Sequence, residues 1–248
     1  MPFFEKIFKK KEPWVSFDLS FLGADIHSHL IPGIDDGSKS IDDSITLGRG
    51  LQELGYKKIV TTPHIMSDYY RNTPKVVKNG LAEIKKAFSE NNINLKIDAA
   101  AEYYIDYDFI QKIGKEELLT FGDNYILVEF SFVDLPRVIN EAFFNLQTNG
   151  YKPVLAHPER YMYWHANPNG LFDLKNRDIL FQTNLLSLMG FYGVGSAKMA
   201  EVLINNSMVD WLGTDLHNLN QLELLKNLKI KESVAQKISE TTFLNQTL

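Results

Sequence analysis

The chain has 248 residues and no cysteine. Disulfides, thiolate zinc sites and iron–sulfur clusters are therefore excluded, along with every mechanism built on a cysteine nucleophile. No apolar run approaches the ~20 residues needed to span a bilayer. The opening stretch, Met1 to Trp14, has lysines but no continuous apolar core of the signal-peptide kind, so a cytoplasmic location is the default expectation. An excess of positive charge is also missing. Lys and Arg total 26 against 31 Asp and Glu, a formal charge of −5. That balance argues against a nucleic-acid partner, because phosphate backbones are met by basic surfaces. It leaves room for a small anionic substrate, which needs only local positive charge or metal. There is no low-complexity tract, short-period repeat or evident linker.

What remains is the composition of an ordinary globular domain, 44% hydrophobic and 23% charged, long enough to bury a core without staples. Short β-branched runs recur at Ala24–His27, Lys58–Thr61, Leu95–Ala101, Tyr125–Phe130, Lys152–Ala156, Ile179–Thr183 and Val209–Gly213. Amphipathic stretches lie between them. Ser40–Leu54 carries Ile41, Ile45, Leu47 and Leu51 near helical spacing, and Pro74–Phe88 places Val77, Leu81, Ile84 and Phe88 on one face. Pro136–Gln147 begins with proline and stops near Gly150, as helix punctuation predicts. Seven βα units imply a parallel sheet with both faces covered.

Histidine is scarce, and its placement is informative. Five of the six histidines (His27, His29, His64, His157 and His217) sit at or just after a predicted strand end. His165, among Trp164, Asn167 and Pro168, reads as a loop residue. Asp25-Ile-His-Ser-His29 closes the first strand, and alternation points His27 and His29 to the same side. Thr62-Pro-His64 closes the second strand, Ala156-His-Pro-Glu-Arg160 the fifth, and Asp215-Leu-His217 follows the seventh. Glu102 ends the third strand and Glu129 lies near the end of the fourth. In a closed β/α barrel such ends converge on one face, whereas an open sheet spreads them along a line. The pattern therefore favours a barrel. A single buried histidine is commonly a hydrogen-bonded structural residue; five placed alike, with several carboxylates, indicate metal. Imidazole and carboxylate without thiolate suit manganese, iron or zinc, and the number of donors calls for two or three ions. Such a cluster lowers the pKa of a bridging water and clamps the oxygens of an in-line displacement.

These blocks, with Asp25-Ile-His-Ser-His-Leu-Ile-Pro-Gly-Ile-Asp-Asp-Gly37 the longest, resemble the PHP (polymerase and histidinol phosphatase) superfamily. They are most similar to its bacterial protein-tyrosine-phosphatase branch of capsule and exopolysaccharide systems, over about Asp25 to Asn218. The resemblance implies a single-domain α/β fold, a distorted (β/α)7 TIM-like barrel over residues 23–248, preceded by an extension over 1–22. It also implies a trinuclear site, usually with manganese; iron, zinc or magnesium are alternatives. One ion would take His27, His29, Glu102 and Asp215. A second would take Asp36, His64 and His217, and a third Glu102, Glu129 and His157. Asp35 rivals Asp36. Arg160 would hold the phosphoryl oxygens through its planar guanidinium; a surface salt bridge with Glu159 is the plain alternative. Tyr69, Tyr70 and Arg71 are candidates for a substrate wall and charge, with loop packing the alternative. Two positions depart from the branch: no arginine follows His217 between Asn218 and Leu225, and Ile65 stands where a second histidine is common.

The implied reaction is hydrolysis of phosphotyrosine in a protein, and the implied partner is a membrane-associated bacterial tyrosine kinase. A PHP phosphoesterase acting on a metabolite such as histidinol phosphate, or a non-catalytic docking module, are the alternatives. The Gly-rich stretch Ser187–Ser196 suits either backbone contact with a phosphate or a tight loop leading into a helix. Phe3, Phe4, Ile7 and Phe8 fit one face of a short helix with Lys6, Lys9, Lys10 and Lys11 on the other, so residues 1–14 suit peripheral membrane contact, packing across the open bottom of the barrel, or a subunit contact.

Overall fold

Local sequence dictates most of the elements in the computed structural model, which describes residues 12–248. The amphipathic reading of Phe3 to Lys11 lies outside those residues. Eleven strands occur among them: β1 Trp14–Ser16, β2 Ala24–Asp25, β3 Lys58–Thr61, β4 His64–Ile65, β5 Lys96–Ala99, β6 Glu102–Tyr104, β7 Tyr125–Glu129, β8 Lys152–Ala156, β9 Leu180–Asn184, β10 Trp211–Gly213 and β11 Lys229–Lys231. All seven expected runs contain a strand. The second and third each continue past a short break, as β4 and β6.

The break after β3 has a chemical cause. Pro63 has no N–H to offer a ladder, and the Thr62 N–H turns aside to the Ser28 carbonyl at 2.7 Å. Pairing then resumes one step later, with His64 opposite Glu102.

The strands form a three-stranded sheet in the order β2-β3-β5 and a six-stranded sheet in the order β10-β9-β8-β7-β6-β4, parallel throughout. Chain beyond β2 also bonds to chain beyond β10. Asp215 N donates to His27 O at 2.8 Å, His29 N to Leu216 O at 2.9 Å, and the buried Asp25 carboxylate accepts from Thr214 N and Oγ1 at 2.9 and 2.7 Å. The first and last parallel strands are thus tied together at the end where the histidines lie. A separate antiparallel pair, β1 with β11, joins Trp14–Ser16 to the C-terminal region.

Helices flank the sheets. Ile41–Glu53 is capped by the Ser40 hydroxyl and has Asp42 and Asp43 in its first turn, where the helix dipole favours negative charge. Pro74–Glu90 starts with proline behind a Thr73 cap. Ile139–Thr148 begins three residues later than punctuation predicts, because Pro136–Val138 forms a separate turn in which Ile139 N donates to Pro136 O. The larger core lies between helices and sheets. A smaller one gathers Val60, Leu127, Val154 and Trp211 from four strands with Ile26, Ala100, Ala156 and Phe121. No helix among the described residues is long and apolar enough to cross a membrane.

Candidate metal centre

Most of the donors stand at or just beyond strand ends of the parallel sheets. His27 and His29 follow β2, His64 and Glu102 open β4 and β6, Glu129 ends β7, His157 follows β8, and Asp215 and His217 follow β10. Two of these positions adopt the left-handed backbone that side chains with a Cβ disfavour: His157 at φ 36° and Asp215 at φ 50°. Strain of this kind persists only where surrounding structure enforces it, and it clusters at functional sites.

Glu102 is the hub. It is fully buried, and its Oε2 lies 3.1 Å from His27 Nε2, 3.5 Å from His29 Nε2 and 3.1 Å from His64 Nδ1. Its other oxygen lies 3.1 Å from His157 Nε2. Asp215 Oδ1 faces His27 Nε2 at 3.3 Å and His29 Nε2 at 3.5 Å. Asp36 Oδ1 lies 3.5 Å from His64 Nε2 and 3.6 Å from His217 Nε2.

Four groups of donor atoms, each within 4.8 Å of one another, result: His29, Asp36, His64 and His217; His27, His29 and Asp215; His27, Glu102 and His157; and His64, Glu102 and Glu129. Asp36 therefore stands with the side chains that could hold an ion. Asp35 instead accepts from His29 Nδ1 at 2.9 Å and from the His64 and Gly37 backbone. Glu129 groups with His64 and Glu102, while His157 groups with His27 and Glu102.

The tautomers follow from the outer contacts. His27 Nδ1 donates to Gln182 Oε1 at 2.7 Å and His29 Nδ1 to Asp35, which leaves both Nε2 atoms as acceptors aimed inward. His27 Nε2, His29 Nε2, His64 Nδ1 and Glu102 Oε2 are buried and have no hydrogen-bond partner among the described residues. Unsatisfied buried polar atoms are costly, and a divalent cation is the group that satisfies several nitrogen and carboxylate lone pairs at once. The donor set fits such an ion.

Charge supports the same view. Burial tends to raise Glu102, yet His27 and His64 hold it well below the usual carboxylate range. Burial disfavours the charged form of His27, but Glu102 and Asp215 outweigh that and lift it to about 9. His157 goes the other way, lowered by burial and by the Arg160 charge. The floor is built for positive charge.

Above the cluster opens a cavity of about 620 Å³ whose walls include Tyr69, Tyr70, Phe132, Arg160 and Tyr192. Tyr70 stacks on His64 at 5.5 Å. Arg71 lies outside this cavity, with its Nε turned to the Ser67 carbonyl. Arg160 does not pair with Glu159; its Nη1 donates to Asp215 Oδ2 at 3.0 Å. His165 stands apart from the cluster and bonds the Glu159 carbonyl.

Residues 23–243 match the family model described as capsular polysaccharide synthesis, CpsB/CapC. The chain belongs to the CpsB/CapC family. Among relatives, the tyrosine-protein phosphatase YwqE of Bacillus subtilis is 33% identical over 79% of this chain and 77% of its own length. The tyrosine-protein phosphatase CpsB of Streptococcus pneumoniae is 29% identical over 79% of this chain and 83% of its own. A crystal structure from work on YwqE and CpsB, described as metal-dependent tyrosine phosphatases, superposes with a TM-score of 0.77 at 28% identity, covering 90% of this chain and 94% of that one. An amidohydrolase from Mycoplasma synoviae shares the fold at a TM-score of 0.51 and 14% identity, covering 92% of this chain and 84% of that one.

Around the donors of this CpsB/CapC chain, the sequence reading missed the residues that hold them. Gln182 orients His27, and its Nε2 donates to Asn184 Oδ1, while Asn184 Nδ2 donates to Asp215 at 2.6 Å. A signal was available: two neutral amides, two positions apart, at the end of a run that begins apolar. Phe132 gave none, and Glu159 and Tyr192 stood out only as members of the His157–Arg160 block and the Gly-rich stretch.

Proposed function

We propose that this chain is a metal-dependent phosphotyrosine phosphatase acting on a protein of a capsule or exopolysaccharide system. The observation that carries the reading is the convergence of nine histidines and carboxylates, seven of which line an aromatic-walled cavity with one arginine in its wall. The ligands are His27, His29, Asp36, His64, Glu102, Glu129, His157, Asp215 and His217, holding two or three divalent ions, with manganese favoured. Bound divalent ions supply Lewis acidity there and make water nucleophilic at neutral pH. The bonds between chain beyond β2 and chain beyond β10 support one distorted, closed (β/α)7 barrel over residues 23–248, the arrangement that gathers strand ends from residue 27 to residue 217 into one pocket.

The protein's own groups then divide the task. Asp35 and Gln182 fix the tautomers of His29 and His27. Arg160 presents planar N–H donors to the phosphoryl oxygens, where charge-assisted paired bonds are strong. Tyr69, Tyr70 and Phe132 provide faces against which a phenyl ring packs. The substrate favoured by the family resemblance is a membrane-associated tyrosine kinase, met from the cytoplasmic side.

The test is phosphate release from a phosphotyrosyl peptide with added manganese, with and without a chelator, beside histidinol phosphate. Chelator-sensitive turnover of the peptide is expected. Turnover of histidinol phosphate alone would move the activity to a metabolite and sink the protein-substrate reading.

A further inference from the structure

We propose that Tyr192 is a positioning residue that, with Phe132, clamps the Arg160 guanidinium as a preset anchor for phosphoryl oxygens. The inference rests on the reading of Arg160 given above. Its geometry is specific. The Arg160 guanidinium carbon lies 4.2 Å from the centroid of the Tyr192 ring and 4.5 Å from that of Phe132. The Tyr192 hydroxyl donates to Asp215 Oδ2 at 3.2 Å, the oxygen that also accepts from Arg160 Nη1. Among the described residues no protein acceptor engages Arg160 Nε or Nη2, and the side chain lines the cavity. An arginine otherwise has considerable rotamer freedom to lose when it grips a ligand; two rings and a shared carboxylate oxygen remove much of that freedom beforehand.

The Gly-rich loop exists to deliver this tyrosine. Gly190 and Gly193, at φ 87° and 98°, let the chain turn on either side of Phe191 and Tyr192. At Gly195 a Cβ would stand 2.4 Å from His165 Nδ1. The buried Glu159 fixes the approach to the loop, with Oε1 accepting from Asn184 N at 3.0 Å and Ser187 Oγ at 2.6 Å. Ser196 Oγ donates to the Tyr192 carbonyl at 3.2 Å. Residues 157–165 and 184–196 therefore form one scaffold, with Arg160 on one side and Tyr192 on the other. The same clamp lets a single arginine serve where no second one follows His217.

The experiment measures inorganic phosphate binding to the manganese-loaded full chain by calorimetry, with KM and kcat on p-nitrophenyl phosphate and metal content by elemental analysis. Tyr192→Ala is expected to weaken phosphate binding and raise KM about tenfold, the size of a partly desolvated cation–π contact, with metal content unchanged. Tyr192→Phe keeps the ring and restores most of the affinity. In an Arg160→Ala background, Tyr192→Ala adds nothing, because the two residues act as one unit. Phe132→Ala, which makes no bond to Asp215, shows the same non-additivity and carries the comparison if Tyr192→Ala fails to fold. Equal losses with and without Arg160 would overturn the clamp while leaving Arg160 as an anchor. Unchanged phosphate affinity in Arg160→Ala would remove the anchor and the clamp together. Arg160-dependent phosphate binding without turnover of a phosphotyrosyl peptide would uphold the clamp and refute only the proposed substrate.

Discussion

Asp35 and Asp36 are adjacent in sequence yet face opposite sides of the same loop. Asp36 is half exposed and looks at His64 and His217, whereas Asp35 is buried and bonded to the far nitrogen of His29 and two backbone N–H groups. Loop geometry of this sort has no periodicity, so the sequence offered both residues as candidates. Gly37 shows why the loop turns as it does: a Cβ there would lie 2.3 Å from the His29 carbonyl oxygen. Removing charge from Asp35 leaves the ligand set intact but weakens the hold on the His29 ring. Asp35→Asn is therefore expected to lower metal affinity by about 10- to 100-fold, the usual cost of losing an outer-shell partner. Metal titration of the chelated protein checks this, and affinity equal to wild type would show that His29 is oriented by its stack on His217 instead.

At the scale of elements, the seven short runs were legible because most of them are apolar and buried on both faces, which leaves a plain trace; β5, with Lys96 and Asp98 exposed, is the exception. β1 and β11 were not legible, being three residues each with exposed or half-exposed ends. β4 and β6 were hidden because Pro63 and the Ala100–Ala101 pair interrupt the runs that precede them. The candidate metal ligands were legible through their positions at or just after strand ends, while the part played by the two amides Gln182 and Asn184 emerged only with the neighbouring strand in place. Two glycines separate packing from site support. A Cβ on Gly48 would meet the buried Phe88 ring at 2.2 Å, between the helices Ile41–Glu53 and Pro74–Glu90. Overpacking costs about 1–3 kcal/mol, against about 1 kcal/mol gained from helix propensity. A net loss of a few degrees in Tm is expected for Gly48→Ala, with metal affinity unchanged. A Cβ on Gly213 in β10 would stand 2.5 Å from Gln182 Nε2 and 3.0 Å from His27 Cβ. Gly213→Ala should displace Gln182 from His27 and lower metal affinity about tenfold or more. Thermal melts and metal titrations of both variants distinguish the cases, and wild-type affinity in Gly213→Ala would show that His27 needs no support from Gln182.

For the whole molecule, the site is a tie as well as a centre, because its donors come from strands spread between Asp25 and His217. Glu102 and Asp215 are buried together at the meeting point, so the folded chain needs positive charge there. Without metal, a proton on His27 supplies it. Burial opposes that proton, but the two carboxylates win and raise the group from 6.5 to about 9. The sign follows from linkage: a histidine raised in the folded state contributes stability that is complete below about 6.5 and lost as pH rises through about 9. Bound ions replace the proton and remove that dependence. Chelated protein should therefore lose Tm steadily from pH 6.5 to 9, while the metal-loaded protein holds its Tm over the same range. Metal affinity should rise across that window by up to about tenfold per pH unit for each proton displaced, and then level off. Thermal melts at three pH values, with manganese or with chelator, measure the first effect, and competition titration measures the second. Parallel Tm curves with and without metal would mean that the ions do not neutralise the Glu102–Asp215 floor, and the ligand assignment built on His27 would fall.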